Sequence, residues 1–228
     1  PSAGSQNVLA RFGDAGKVAA ECDVTVAVLG INKSIEREGQ DRFSLELPVD
    51  QQEFIKELYK VNPNTVVVLV AGSSMAVNWM DENVPAILNA WYPGEQGGNA
   101  VAEVLFGDYN PGGRLPLTYY NSLDEIPAFD NYFVKGRTYQ YFEGQPLYEF
   151  GYGLSYTKFR YKSKGVNVEQ DTVKVSFEVS NTGKYDGDEV TQVYVKYPET
   201  GTYMPLKQLH GFKRVHIKKG KTSKVTIG

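Results

Sequence analysis

Short, uninterrupted apolar runs alternate with stretches of helical period through the first two-thirds of the chain. VTVAVL (24–29) and TVVVLV (65–70) are continuous and β-branched, as expected of strands buried on both faces of a parallel sheet. Between them, DQQEFIKELYKV puts Phe54, Ile55, Leu58 and Tyr59 on one helical face. Asp50 is the expected N-cap there, with Glu53 as its capping-box partner. VPAILNAW (84–91) predicts a third strand. EQGGNAVAEVLFG (95–107) predicts a helix with Val101, Val104 and Leu105 inward and Gly107 as its stop. Strand–helix alternation of this kind implies an α/β layered sandwich with a mostly parallel sheet and right-handed crossovers.

Beyond Tyr156 the period changes to two. In DTVKVSFEVSNTGKYDGDEVTQVYVKY the apolar positions are Val173, Val175, Phe177 and Val179, then Val190, Val193 and Val195, with an Asn/Gly/Asp-rich turn between. FKRVHIKKGKTSKVTI supplies another strand, a Lys-Gly turn read as a hairpin, and one more strand. Alternating strands with regular turn signals predict an antiparallel β-sandwich. The chain shows about four or five strands where about seven are usual, so the expectation is a truncated sandwich, or one completed from elsewhere. The predicted domains are 1–155 and 156–228.

Charge sharpens that division. Residues 1–155 carry 10 Lys+Arg against 20 Asp+Glu, while residues 156–228 carry 14 against 7. The basic residues of the second part are spread along strands, which argues for a solvated face rather than a nucleic-acid site. No apolar run approaches the roughly 20 residues of a membrane helix. Cys22 stands alone, just ahead of a predicted strand, and reads as a buried, inert thiol. Two histidines and one cysteine offer no metal cluster, and no cofactor is expected. The opening PSAGSQNVLARFGDAGKVAAECD has neither an initiator Met nor a leader pattern, which predicts a segment cut from a longer chain.

Four stretches are candidates for chemistry. KSIEREGQDRF (33–43) follows the C-terminal end of the first strand, the edge where open α/β sheets place ligands. In it Arg42 is expected to hold Asp41 bidentately, freeing Glu36, Glu38 or both to project as acids. AGSSMA (71–76) faintly matches a nucleophile elbow with Ser74, but such an elbow needs a later histidine. His210 and His216 both lie in the β-rich part, so a plain backbone turn is the better reading. The glycines of YPGEQGGNAVAEVLFGDYNPGGRLP lack nucleotide-binding spacing. The aromatic tract NYFVKGRTYQYFEGQPLYEFGYGLSYTKFRY either packs a domain junction, the preferred reading, or stacks on sugar faces.

Together EREGQDRFSLELPVDQQEFIKEL, VVVLVAGSSMAVNW, AILNAWYPGEQGGNAVAEVLFGDYNPGGRLPLTYY and GRTYQYF…PLYEFGYGLSYTKFRY resemble the C-terminal portion of family 3 glycoside hydrolases. The resemblance covers nearly the whole chain. It implies an (αβ)-sandwich followed by a fibronectin type III-like domain, and a preceding barrel that carries an Asp nucleophile. The implied activity is that of a retaining exo-β-glycosidase releasing terminal xylose or glucose from oligosaccharides. Family loops read roughly Ser/Thr-x-Glu-x-Glu/Tyr ahead of Asp-Arg, which assigns the general acid/base to Glu36. Glu38 takes that role if the Glu-Gly dipeptide is the feature matched. On this reading Asp41 and Arg42 are structural, the partners are an oligosaccharide substrate and the barrel, and the setting is periplasmic or secreted. The chain alone is expected to be inactive. The alternative is a non-catalytic carbohydrate- or partner-binding module.

Overall fold

The computed structural model describes residues 13–198 and 203–228. Residues 1–12, which open the stretch read as a cut end, lie outside the described residues. The chain divides into two compact units, one running to Gly98 and including Tyr119–Glu125, the other comprising Asn99–Thr118 and Ile126–Gly228.

The first unit is built from α1 (Ala15–Ala20), β1 (Thr25–Gly30), α2 (Val49–Val61), β2 (Thr65–Val70), α3 (Asn78–Asn83) and β3 (Ile87–Asn89). The strands form a parallel sheet in the order β1-β2-β3. Thr25 pairs with Thr65 and Gly30 with Val70, while Leu69 pairs with Asn89. This register brings the C-terminal ends of all three strands to one edge. Ala27, Leu29, Ile55, Leu58, Val67 and Leu69 are buried, so β2 and one face of α2 form the core as their periods predict. Strand β1 departs from the expected burial on both faces: Val26 and Val28 are exposed, so its alternate residues alone reach the core. Asn62, just past α2, donates from Nδ2 to the carbonyls of Ala19 at 2.9 Å and Cys22 at 2.8 Å. It thereby fastens the end of α1 to the end of α2.

Two local expectations fail here. Helix α2 begins at Val49 with Pro48 as N-cap, and no side chain caps it. Proline holds φ near −65° without needing a donor of its own, and the extended Pro48 (φ −49, ψ 140) turns the chain into the helix ahead of Asp50. Asp50 instead accepts a 3.0 Å bond from the N–H of Gln51. Cys22 is exposed rather than buried, because it sits in the turn closing α1, where its N–H bonds to the Ala19 carbonyl at 3.3 Å.

The chain passes to the second unit within α4 (Gly97–Phe106). Gly107, at φ +83, stops this helix in the left-handed conformation that glycine tolerates best. After the short α5 (Thr138–Tyr141) come β4 (Phe159–Glu169), β5 (Thr172–Asn181), β6 (Gly187–Val195), β7 (Gln208–Ile217) and β8 (Thr222–Ile227). They form a three-stranded sheet, β4-β5-β8, and a two-stranded sheet, β6-β7. The Lys-Gly turn is therefore not a hairpin, since β7 and β8 lie in different sheets. Sandwich packing requires the apolar faces of two sheets to meet: Phe177, Val179 and Val225 of one sheet cluster with Ile217 of the other. Asn181 holds the crossing. It is 1% exposed, and its Nδ2 donates to the Ile217 and Tyr185 carbonyls, each at 2.8 Å.

Strand β6 also departs from the apolar alternation read in it. Its buried positions are Gly187, Glu189 and Thr191, and Val190 is only half-buried. Glu189 is buried because it pairs with Arg114, the two side chains being 11% and 12% exposed. It also accepts from the Tyr161 hydroxyl at 2.7 Å. Burial, then the Glu189 contact, pushes Tyr161 up. Burial, followed by Tyr139 and Glu149, pushes Tyr194 up to about 12. A tyrosine that keeps its proton longer when folded stabilises the fold fully below its unfolded pKa of about 10 and loses that contribution as pH rises beyond it. Thermal melts should therefore fall between about pH 10 and about pH 12, and Tyr194→Phe should shrink the fall.

Candidate active site

The loops leaving the C-terminal ends of β1 and β2 are tied together by one arginine. Beyond β1, Asn32 organises the first turn: its Oδ1 accepts from the Ser34 N–H at 2.8 Å and the Ser34 hydroxyl at 2.6 Å. The Glu36 N–H bonds to the Asn32 carbonyl at 3.1 Å. The chain then reverses over four residues, with Arg37 and Gln40 exchanging backbone bonds at 3.0 Å in both directions. Gly39, at φ +73, occupies the third position of this turn and leaves Glu38 at its leading corner. That backbone is the one a tight turn with glycine at its third position adopts.

Glu36 and Glu38 consequently have different surroundings. Glu36 Oε2 accepts from Arg42 Nε at 2.7 Å and from the Ser73 hydroxyl at 2.7 Å, and its side chain is 23% exposed. Glu38 is exposed and has no ion pair or hydrogen bond among the described residues. Arg42 does brace the loop, but against a partner other than the one the sequence suggested. Asp41 is exposed, and Arg42 reaches Glu36 instead. Two adjacent side chains on an extended segment diverge, whereas the reversal at Glu38–Gly39 brings Glu36 back beside Arg42. The guanidinium also donates to the Leu45 carbonyl at 3.2 Å and to the Ser74 carbonyl, so it joins both loops. Its side chain is 10% exposed. Burial pulls its pKa below the usual value, and Glu36 is the main opposing influence.

The floor beneath this pair is aromatic and amide. Asn89, at the end of β3, bonds the Tyr119 hydroxyl at 2.8 Å, and the Tyr92 hydroxyl donates to the Ile31 carbonyl at 3.2 Å. Burial raises Tyr119, while Asn89 and Arg42 oppose the rise. Trp91 adopts φ +55, a conformation that costs a bulky residue of order 1–3 kcal/mol. The Ser73 hydroxyl and Tyr92 were not read as parts of this site in the sequence. Their one legible signal is position, each lying within a few residues of a strand's C-terminal end. AGSSMA forms a turn rather than an elbow: Ser73 supplies a hydroxyl and Ser74 a carbonyl. His210 and His216 contact Tyr197 and Asp188 respectively. Among the described residues, no group of three or more His, Cys, Asp or Glu is placed to hold a metal ion, and no helix is long and apolar enough to cross a membrane.

A parallel sheet with a charged, turn-built loop at its C-terminal edge, followed by an antiparallel sandwich, defines an α/β domain joined to a fibronectin type III-like domain. Residues 4–156 match the Glycosyl hydrolase family 3 C-terminal domain, and residues 189–228 match a Fibronectin type III-like domain. The chain belongs to glycosyl hydrolase family 3. Over 83% of its length it is 44% identical to a xylan 1,4-beta-xylosidase of Xylanibacter ruminicola, of which it covers 22%. A beta-glucosidase of Kluyveromyces marxianus is 37% identical over 94% of the chain, which covers 27% of that protein. The crystal structure of the Kluyveromyces marxianus enzyme superposes with a TM-score of 0.87, spanning 93% of this chain and 27% of that one. The GH3 beta-glucosidase of Bifidobacterium adolescentis gives 0.87 at 31% identity, over 100% of this chain and 36% of that one. The chain thus spans about a quarter of the curated relatives it matches.

Proposed function

We propose that this chain is the part of a retaining exo-β-glycosidase that carries the general acid/base, with Glu38 as that group and Glu36 as its anchor. The observation that carries the reading is the unequal commitment of the two carboxylates. A general acid/base must give up and regain a proton in each cycle, within reach of the glycosidic oxygen. Glu36 already accepts two bonds on one oxygen, from a buried guanidinium and a hydroxyl, and serves to hold the turn. Glu38, two residues on, is presented at the turn's corner with its carboxyl open to an incoming sugar.

The nucleophile is an Asp on a barrel elsewhere in the parent enzyme, about 5–5.5 Å from the acid/base carboxyl in the assembled site. Glu38 protonates the glycosidic oxygen while that Asp attacks the anomeric carbon, and then takes a proton from the water that releases the sugar. The substrate is an oligosaccharide ending in non-reducing β-xylose or β-glucose, in keeping with the names of the relatives. A periplasmic or secreted setting is supported by a relative in Salmonella typhimurium named periplasmic beta-glucosidase, 36% identical over 96% of this chain. We place the boundary between the two sequence domains near Tyr156, where the match to the family 3 C-terminal domain ends, whereas the compact units divide earlier, within α4.

The test is reconstitution. Alone, the chain should release no nitrophenol from aryl β-xylosides or β-glucosides, and joined to the remainder of its parent it should do so. Turnover by the isolated chain would overturn the division of the two carboxyls.

A further inference from the structure

The block PLYEFGYGLSYT has no part in the chemistry above, yet in the second unit it builds an open cleft of about 520 Å³. That lies within the range of ~300–1,000 Å³ common for small-ligand pockets. We propose that this cleft is a second, non-catalytic site for a neutral β-linked oligosaccharide of a few pyranose rings.

The rings stand ready before any ligand arrives. Tyr148 and Tyr152 are stacked at 5.2 Å with planes 17° apart, and Tyr152 remains 42% exposed. Phe150 stacks on Tyr139 at 4.2 Å, and Tyr139 meets Tyr194 edge-on at 6.0 Å. The backbone carrying them is pinned, since the Gly151 N–H bonds to the Leu115 carbonyl at 2.7 Å and the Leu115 N–H to the Tyr152 carbonyl at 2.8 Å. Gly151 cannot be another residue without rearrangement: at φ +83, an added Cβ would lie 2.2 Å from Gln192 Oε1 and 2.7 Å from the Tyr194 oxygen.

The polar groups select the class of ligand. Arg114 is paired with Glu189, and Lys207 with Glu149 at 2.9 Å. Two cations thus balance two anions, so the cleft offers little net attraction to a charged ligand. What it offers is donors and acceptors beside exposed tyrosine faces. β-Linked pyranoses match this combination, with flat C–H faces to stack on rings and hydroxyl edges to bond guanidinium, ammonium and carboxylate groups. A polypeptide would instead call for an apolar anchor pocket at the centre. The site does not depend on the catalytic reading, because none of its residues takes part in it.

The experiment is a titration of isotope-labelled chain with xylotriose and with cellotriose, followed by amide NMR shifts. One or both sugars should bind in the millimolar range, with shifts at residues 145–152, Gln192 and Lys207. Tyr152→Ala should weaken binding about tenfold. Tyr152→Phe should retain most of it, and Glu38→Gln should leave it unchanged. If Tyr152→Ala unfolds, Lys207→Ala, which leaves the stacked rings in place, carries the test and should weaken binding severalfold. No shifts at about 50 mM sugar, shifts confined to residues 33–43, or undiminished affinity in a folded Tyr152→Ala (or, where that variant unfolds, Lys207→Ala) chain would each overturn the proposal. Loss of binding in Glu38→Gln would overturn it too, by moving the site to the catalytic loop.

Discussion

Glu38→Gln in the parent-length enzyme should lower kcat/KM on substrates with poor leaving groups by about 10²–10⁴-fold, the span that general acid–base catalysis contributes. Activated aryl glycosides, whose leaving groups need little protonation, should lose far less in the first step. With them the second step becomes limiting, because water then lacks its base, and the glycosyl-enzyme should accumulate. Azide, a nucleophile that needs no deprotonation, should restore turnover and yield a glycosyl azide of retained configuration. Glu36→Gln should behave differently: glutamine keeps an acceptor for Ser73 and Arg42, so its loss should be smaller, uniform across leaving groups, and insensitive to azide. If azide instead rescues Glu36→Gln and Glu38→Gln retains normal kinetics, the roles are reversed and Glu36 is the acid.

The different surroundings of the two glutamates illustrate what the residues alone could convey. The position of β2 was legible because a strand covered on both faces demands a continuous β-branched run, and 65–70 coincides with it; β1 carries a similar run with only one face covered. The loop's place after β1 was legible too. Its internal wiring was not. The Arg42–Glu36 pair forms only because Gly39 accepts a positive φ and reverses the chain, and adjacency in sequence suggested Asp41 instead. In the sandwich, a period of two identifies strands without saying which sheet each one joins. The turn at Lys219–Gly220 looks like a hairpin until Ile217 and Val225 are seen packing face to face across two sheets. Glu189 was hidden for a similar reason: a charged residue at an inward position reads as outward unless its partner, Arg114, 75 residues away, is known.

Glu36→Ala should cost the fold about 3 kcal/mol, the lower end of what is lost when one partner of a buried ion pair is removed. Most of that is the penalty for leaving the Arg42 guanidinium, 10% exposed, without its counter-charge. The pair itself contributes far less, so removing both charges should be much milder than removing one. Arg42→Met combined with Glu36→Gln should therefore recover most of the stability lost by Glu36→Ala, as read from urea midpoints at unchanged m-value. Recovery of stability should not bring recovery of catalysis. Arg42 also donates to the Leu45 and Ser74 carbonyls, and methionine cannot hold the β1 and β2 loops together. The double variant is thus expected to be folded, to have a loosened turn, and to lose kcat more than KM, because Glu38 no longer sits where the glycosidic oxygen arrives. Equal stability costs for the single and double variants would show that the pair contributes through mutual attraction rather than by neutralising a buried arginine. Full activity in the stable double variant would show that the position of Glu38 does not depend on this brace.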